Sequence, residues 1–269
     1  MSDWKQAVLG RTGRTVGRLA LSASYGADDR CVRMGFERGV NYLYWGSIRK
    51  SSFGAGLREL RPQREKFVLV IQSYTRMASL LGWSLERALR KLGMEYADVL
   101  LLGMWNKPVT PAIFEHALQL RERGLVKHVG LSTHNRVQAV EFASNPDVGV
   151  LHVRYNAVHT GAERDIFPHL AEPSARPGIV GFTATSWGEL MKPEKVPAGD
   201  AVPTAGDCYR FVLSSPSIEV CMTGPKNVAQ FTAALNAWEK GPMSPDELAW
   251  IRRVGAAKYT KPGRFSIRG

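Results

Sequence analysis

The 269-residue chain has few cysteines and none that are close together in sequence. Cys31, Cys208 and Cys221 form no CxxC pair, and their number is odd. Scattered, unpaired thiols argue against a disulfide framework, a zinc site or an iron–sulfur cluster, and they are typical of a reducing compartment. The sequence therefore predicts a protein without a metal site.

Long apolar runs are also missing. No segment approaches the roughly 18 to 20 apolar residues of a membrane span, and the first residues are polar and basic, unlike a signal peptide. We therefore predict a cytoplasmic protein that does not enter a membrane. With 44% hydrophobic and 22% charged residues, the composition is that of a globular domain with a substantial core.

Two common phosphate-binding signatures are absent. The segment Gly54-Ala55-Gly56 lacks the third glycine and the strand–turn–helix setting of a dinucleotide fingerprint, and no Walker lysine motif occurs. The formal charge of +12 favours anionic partners in general, but the basic residues are scattered instead of clustered. We predict a basic mouth on a small-molecule site and no nucleic-acid binding.

Short apolar runs alternate with longer amphipathic segments along the whole chain, which is typical of repeated βα units on a parallel sheet. Eight strands are predicted, at residues 19–22, 42–45, 67–71, 99–102, 128–131, 150–153, 179–183 and 220–223. Helices are predicted at residues 30–38, 80–92, 111–123, 137–144, 209–213 and 228–240. The fold class is therefore α/β, a TIM-type (β/α)8 barrel.

Two segments lie outside the eight units. Residues 8–15 predict an N-terminal β-hairpin that closes the bottom of the barrel. Residues 244–258 begin with an N-cap serine followed three positions later by Glu247, which predicts an extra C-terminal helix. The basic tail 260–269 is expected to be loose. Because the length leaves no room for a second domain, residues 1–269 are predicted to form one barrel.

Several stretches resemble the aldo-keto reductase family in order and spacing. They are residues 9–13 (LGRTG), 38–42 (RGVNY), 84–89 (SLERAL), 96–102 (YADVLLL), 124–132 (GLVKHVGLS) and 222–226 (MTGPK). The ordered set carries the resemblance, which implies the same barrel fold. Members of that family reduce carbonyl compounds with NADPH, and a Tyr tuned by Asp, Lys and His donates the proton.

The resemblance also implies where those four side chains belong, and all four are replaced. Tyr44 stands for the Asp, Arg49 for the Tyr, Gln72 for the Lys and Gly103 for the His. An arginine cannot act as a general acid near neutral pH. Glutamine carries no charge that would lower a phenol pKa, and glycine has no side chain. The family's usual proton relay is therefore absent.

The positions that the resemblance assigns to the cofactor are altered as well. The family's Ser-Asn pair is Ser132-Thr133, its Gln is His152, and the Tyr that stacks on nicotinamide is Thr185. In the last βα loop, Lys226 and Gln230 can still meet an anion beside a helix N-terminus. We predict Ser132, Lys226 and Gln230 as cofactor-binding residues, with NADP(H) as their cofactor.

Residues at the carboxyl ends of barrel strands build the active sites of this fold. Arg49 beside Tyr44 would lower the phenol pKa or bind a carboxylate or phosphate; alternatively, Tyr44 hydrogen-bonds inside the barrel and Arg49 faces solvent. His152, Arg154 and Asn156 alternate, which predicts one shared face at the sixth strand or its exit. His152 is the better catalytic candidate of the three, and a satisfied core histidine is the alternative.

Indole rings follow several strands. Trp105 and Trp187 predict an apolar mouth for a flat or aromatic ligand, and packing of loops over the barrel is the alternative. Together with Gln72, Arg154 and Asn156 they form the predicted substrate-binding set, for a small molecule that is anionic or aromatic. The predicted catalytic set is Tyr44, Arg49 and His152.

Three hypotheses for function follow. In the first, an NAD(P)H-linked oxidoreductase acts on a small carbonyl or hydroxyl substrate, with Arg49 polarising the carbonyl and Tyr44 or His152 supplying the proton. In the second, the same pocket belongs to a non-redox enzyme such as a lyase, cyclase or isomerase. In the third, the barrel binds a ligand or partner without catalysis.

Overall fold

The computed structural model describes residues 4–259, and its centre is a closed barrel of eight parallel strands. These strands are β3 (Leu19–Ser22), β4 (Tyr42–Trp45), β5 (Val68–Ser73), β6 (Ala97–Leu102), β7 (Val126–Thr133), β8 (Val148–Arg154), β9 (Gly178–Phe182) and β10 (Val220–Thr223). Each pairs with its neighbours in sequence, and β10 closes the barrel on β3. The predicted TIM-type barrel is confirmed.

Helices surround the barrel. They are α1 (Asp29–Glu37), α2 (Ser51–Glu59), α3 (Ala78–Leu92), α4 (Pro111–Glu122), α5 (Arg136–Ser144), the short α6 (Ala162–Asp165), α7 (Ala205–Leu213), α8 (Val228–Glu239) and α9 (Pro245–Tyr259). Short 3-10 turns lie at Arg61–Lys66, Phe167–His169, Pro173–Ala175, Glu189–Met191 and Pro193–Lys195. Among residues 4–259 no helix is long and apolar enough to cross a bilayer.

Helix α2 was not predicted from the sequence. It contains Gly54 and Gly56, residues that weaken a helix, and it begins without a side-chain cap. The structure explains Gly56, because a Cβ atom there would lie 2.8 Å from Cβ of Val32 on α1. The glycine therefore permits the close approach of α1 and α2.

A β-hairpin closes the amino-terminal end of the barrel, as predicted. Its strands are β1 (Gln6–Val8) and β2 (Thr15–Gly17), which pair antiparallel. From the turn, the Arg11 guanidinium donates to the carbonyl oxygens of Asn145 and Ala175 at 2.8 and 2.6 Å. Those carbonyls precede β8 and β9, so the hairpin is fastened to the bottom of the barrel.

The amino-terminal end is also held by a buried ion pair. Arg176 and Glu219, both nearly inaccessible, lie 2.7 Å apart just before β9 and β10, and Glu219 also accepts the backbone N–H of Ile179 at 2.6 Å. The predicted capping of the last helix is confirmed by Ser244 Oγ, which accepts the N–H of Glu247 at 3.2 Å. The carboxyl ends of the strands are thus left as the open end. The predicted loose tail 260–269 lies outside the described residues.

Candidate functional site

A cavity of about 200 Å³ opens at the carboxyl ends of β3, β4 and β5. We call it the Tyr44 cavity; it is lined by Ala23, Ser24, Tyr44, Gly46, Ser47, Lys50, Gln72 and Tyr74. Tyr44 faces the barrel interior because side chains alternate along β4, and its neighbours Leu43 and Trp45 pack outward against the helices. The fold therefore places one phenol at the floor of the open end.

Burial raises the pKa of the Tyr44 phenol far above its ordinary value, and the neighbouring Tyr74 phenol raises it further. Arg49 does not counteract this. Its side chain is exposed, and within the described part of the chain its guanidinium enters no hydrogen bond or ion pair. The prediction that Arg49 lowers the Tyr44 pKa is therefore wrong, because burial dominates and the arginine lies in solvent. Tyr44 is a neutral hydrogen-bond donor at physiological pH.

Tyr74 covers Gly103, the position at which the family resemblance implies a histidine. A Cβ atom at Gly103 would lie 2.6 Å from Cε1 of Tyr74 and 2.4 Å from Nε2 of Gln72. The Tyr74 ring therefore fills the space above Gly103. Gln72 Oε1 is buried and has no hydrogen-bond partner among the described residues. Because a buried acceptor is rarely left unpaired, it is suited to accept a hydrogen bond from a ligand.

His152 is buried in the barrel interior below this cavity. Its Nε2 shares a hydrogen bond of 2.8 Å with the Tyr42 hydroxyl, and its ring centroid lies 6.3 Å from that of Tyr44. Burial lowers the His152 pKa to about 3, so the imidazole is neutral at physiological pH. It has the burial and the partner of a core histidine, and it does not line the Tyr44 cavity.

Arg154 lies half-buried at the end of β8, and no ion pair or hydrogen bond of its side chain is found within residues 4–259. Burial, and then Arg154, lower the pKa values of His134 and His159, the latter to about 4. Asn156 lies at the exit of β8, two residues beyond the end of the strand, and its Nδ2 donates to the Thr183 carbonyl at 2.8 Å. The exit of β8 is therefore a region of positive potential.

The loop after β6 covers Ser132. The N–H of Met104 donates to Ser132 Oγ at 2.9 Å, and the N–H of Trp105 donates to the Ser132 carbonyl at 2.8 Å. Above the Trp105 ring lies the Arg76 guanidinium, 3.9 Å from the ring centroid, which also donates to the carbonyls of Gly103 and Met104 at 3.0 and 2.8 Å. Trp105 is thus packed beneath a loop.

The remaining predicted tryptophan differs from Trp105. Trp187 is 56% exposed and has a positive φ of 55°, in the loop after β9. Arg76 and Lys50 are site residues that were not predicted from the sequence. Neither residue belongs to a sequence motif. The stacking of Arg76 on Trp105 joins two different βα loops, so it cannot be seen in either segment alone.

Lys226 directly precedes the N-cap of α8, and Gln230 lies in the first turn of that helix; we call these residues the Lys226 turn. Gln230 Oε1 accepts the N–H of Lys226 at 2.9 Å, and the N-cap Asn227 accepts the N–H of Gln230 at 3.0 Å. The Lys226 side chain is exposed, and none of the ion pairs between described residues includes it. A free ammonium group beside the positive end of a helix is suited to an anion.

The loop after β3 connects this turn with the Tyr44 cavity. Ser24 lines the cavity, and the next residue, Tyr25, packs against Gly224. A Cβ atom added at Gly224 would lie 2.5 Å from the Tyr25 ring. Gly26, with a positive φ of 141°, lies against the backbone of Lys226, where a Cβ atom would meet the carbonyl oxygen at 2.7 Å. One continuous loop therefore links a phenol-lined cavity to a helix N-terminus with a free cation.

Residues 53–192, just over half of the chain, match the profile of the Aldo/keto reductase family. The chain belongs to this family, as its sequence resemblance predicted. The fold is similar to that of an aldo-keto reductase from Bacillus halodurans in its holo form. That match has a TM-score of 0.77 and 18% identity, and it covers 93% of this chain and 96% of that chain.

Two further structures have slightly lower TM-scores. An aldo-keto reductase from Klebsiella pneumoniae in complex with NADPH has a TM-score of 0.74 and 18% identity, over 94% of this chain and 95% of that chain. An aldo/keto reductase from the same organism in complex with NADP and acetate has a TM-score of 0.74 and 16% identity, over the same shares. At such low identity these matches show a common fold.

Proposed function

We propose that this member of the aldo-keto reductase family is an NADP(H)-dependent oxidoreductase that reduces a small anionic carbonyl compound, with Tyr44 as the proton donor. One observation carries the proposal: the loop after β3 joins the Tyr44 cavity to the Lys226 turn. A single dinucleotide can therefore place an anionic group at Lys226 and its reactive ring near the cavity.

The donors at the Lys226 turn fit a phosphorylated nucleotide. Lys226 offers an unpaired ammonium group, and the carboxamide nitrogen of Gln230 is left free because its oxygen is held by the backbone. Helix α8, with 12 residues, adds the positive end of its dipole. Ser132, predicted as a cofactor residue, is nearly inaccessible beneath the loop after β6, so we assign it to holding that loop through the hydrogen bond that it accepts from Met104. The NADPH complex of the Klebsiella pneumoniae relative supports NADP(H) as the cofactor.

A bound NADPH would supply a hydride to the carbonyl carbon. The Tyr44 phenol, which burial keeps neutral, would hydrogen-bond to the carbonyl oxygen. The alkoxide that forms when the hydride adds lies in the same buried environment and is a stronger base than the Tyr44 phenolate, so it would take the proton. Solvent entering the open cavity would then return a proton to Tyr44. Gln72 would hold the substrate through its free Oε1. Of the two predicted proton donors we assign Tyr44, since His152 does not line the cavity.

The charges of the residues around the Tyr44 cavity support the proposal of an anionic substrate. Lys50 is the one cation among the residues that line the Tyr44 cavity, and no acidic residue lines it. Arg154, unpaired at the exit of β8, extends the positive potential across the same end of the barrel. Arg49, exposed in the loop after β4, is proposed to attract the substrate from solvent and not to act in the proton transfer.

Cofactor binding is the first test, by calorimetric titration with NADPH and NADH. We expect NADPH to be preferred and Lys226→Ala to weaken it about tenfold, as the loss of one charged hydrogen bond does. Lys240→Ala is the matched control, because that exposed lysine lies at the opposite end of α8. A wild-type protein that binds no NADPH would refute the oxidoreductase and favour a non-redox reaction in the same cavity.

Turnover is the second test, by the loss of NADPH absorbance with glyoxylate and with the neutral glycolaldehyde. We expect glyoxylate to be the better substrate and Lys50→Met to remove that preference. Tyr44→Phe should retain NADPH binding and lose reduction by about 100-fold, the usual contribution of a general acid. Equal rates for Tyr44→Phe and wild type would contradict the assignment of the proton donor.

A further inference from the structure

A second cleft, of about 310 Å³, lies outside the barrel wall, between the exits of β4 and β5 and the first turns of α3. We call it the α3 cleft. Its walls are mainly apolar and include Ile48, Leu80, Trp83 and Leu85. A volume of this size is at the lower end of the range for small-ligand sites. The cleft shares Ser47, Gln72 and Tyr74 with the Tyr44 cavity, so these residues form the wall between the two.

The rim of the α3 cleft is unusually apolar for a protein surface. Tyr74, Leu80 and Trp83, which line the cleft, are 59%, 43% and 55% exposed, and Met77, which lies between Tyr74 and Leu80 in sequence, is 59% exposed. Large apolar side chains that are exposed singly are common, but a contiguous group marks a binding site. Three of these four residues line a cleft instead of a flat face, which favours a small ligand that enters it.

One cation faces this apolar rim. Arg87 lines the cleft with its guanidinium 5.2 Å from the centroid of the Trp83 ring, and no ion pair of Arg87 is found in the described part of the chain. Arg90, one turn further along α3, is paired instead: its guanidinium lies 3.8 Å from a carboxylate oxygen of Glu86. No aspartate or glutamate is among the residues that line the cleft. The cleft therefore combines an apolar body with one uncompensated positive charge.

We propose that the α3 cleft is a second binding site, distinct from the Tyr44 cavity, for a small aromatic monocarboxylate. The aromatic ring of the ligand lies against Trp83 and Leu80, and its carboxylate pairs with the Arg87 guanidinium. The planar fork of the guanidinium matches a carboxylate in two parallel hydrogen bonds, and the stacked Trp83 ring keeps it in place. Ser84 and Thr75 also line the cleft, but their hydroxyl groups already donate to the carbonyl oxygens of Leu81 and Met77, so Arg87 supplies the charge that selects the ligand.

The test uses cinnamate as the probe and its neutral amide, cinnamamide, as the matched ligand, in calorimetric titrations without nucleotide. We expect one cinnamate per chain, and about tenfold weaker binding of cinnamamide. Arg87→Gln should weaken cinnamate about tenfold and leave cinnamamide unchanged, whereas Arg90→Gln should change neither. Ser84→Leu, which fills the cleft from α3, should abolish binding of both ligands while the circular dichroism spectrum stays that of wild type.

Several results would overturn the proposal. Absence of saturable cinnamate binding would do so, as would equal losses for Arg87→Gln and Arg90→Gln. A loss with Tyr44→Phe as large as that with Arg87→Gln would place the ligand in the barrel instead. Self-association of the wild type that Trp83→Ala removes, seen by sedimentation, would show that a second copy covers the rim. None of these results depends on whether NADPH binds.

Discussion

His152 gives a quantitative prediction about stability and pH. The imidazole is buried as a neutral group, and its pKa is lowered by burial from 6.5 to about 3. In the unfolded chain the same group takes up a proton at its ordinary pKa. Between those two values the unfolded state binds more protons than the folded state, so the free energy of unfolding falls as the pH falls through this window.

The size of the effect follows from the same values. Each pH unit below 6.5 favours the unfolded state by about 1.36 kcal/mol from this one group, until the folded pKa is reached. At about pH 4.5 the loss is therefore roughly 3 kcal/mol. That is a large fraction of the roughly 5 to 15 kcal/mol that stabilises a typical domain.

Urea unfolding at about pH 7 and about pH 4.5 measures this loss in wild type and in His152→Gln. The variant cannot titrate, while its amide can still pair with the Tyr42 hydroxyl, so its loss should be about 3 kcal/mol smaller than that of wild type. His169→Gln, at an exposed histidine, should behave as wild type. Equal losses of stability in wild type and His152→Gln would refute the prediction. They would mean that His152 takes up a proton in the folded protein as readily as in the unfolded chain, so that burial does not lower its pKa.

Three further predictions concern the open end of the barrel. Gly103→His should destabilise the fold by about 1–3 kcal/mol because the new side chain meets both Gln72 and Tyr74, and Tyr74→Ala should relieve part of that loss, as thermal unfolding will show. Arg76→Ala should loosen the loop after β6, measured as faster proteolytic cleavage there. Arg154→Gln should raise the pKa of His159 in a proton NMR titration, whereas Arg164→Gln should leave it unchanged.

The barrel was predictable because its strands are buried on both faces and read as continuous apolar runs. The predicted strands at Leu19–Ser22, Tyr42–Trp45 and Val220–Thr223 have the observed bounds. Where a polar residue interrupts the run, the prediction ended early: β5 continues through Gln72 to Ser73 at the open end. Strand ends that carry site residues are therefore the places where the apolar pattern stops being informative.

The contacts within the site depend on information that the sequence does not contain locally. Arg49 follows Tyr44 by only five positions, yet the direction of the loop sends it to solvent. The ring of Tyr74 occupies the space above Gly103, which lies on the exit of another strand, and neither residue alone indicates the pairing. The burial that lowers the His152 pKa likewise comes from residues on distant strands.

The packing of Tyr74 over Gly103 has a consequence for how this site can change over generations. A histidine at position 103 would meet both the Gln72 amide and the Tyr74 ring, so it fits only if those two side chains move. The effect of a substitution at one of these three positions therefore depends on the residues at the other two. Selection acts on Gln72, Tyr74 and Gly103 as a coupled set and not on one position at a time.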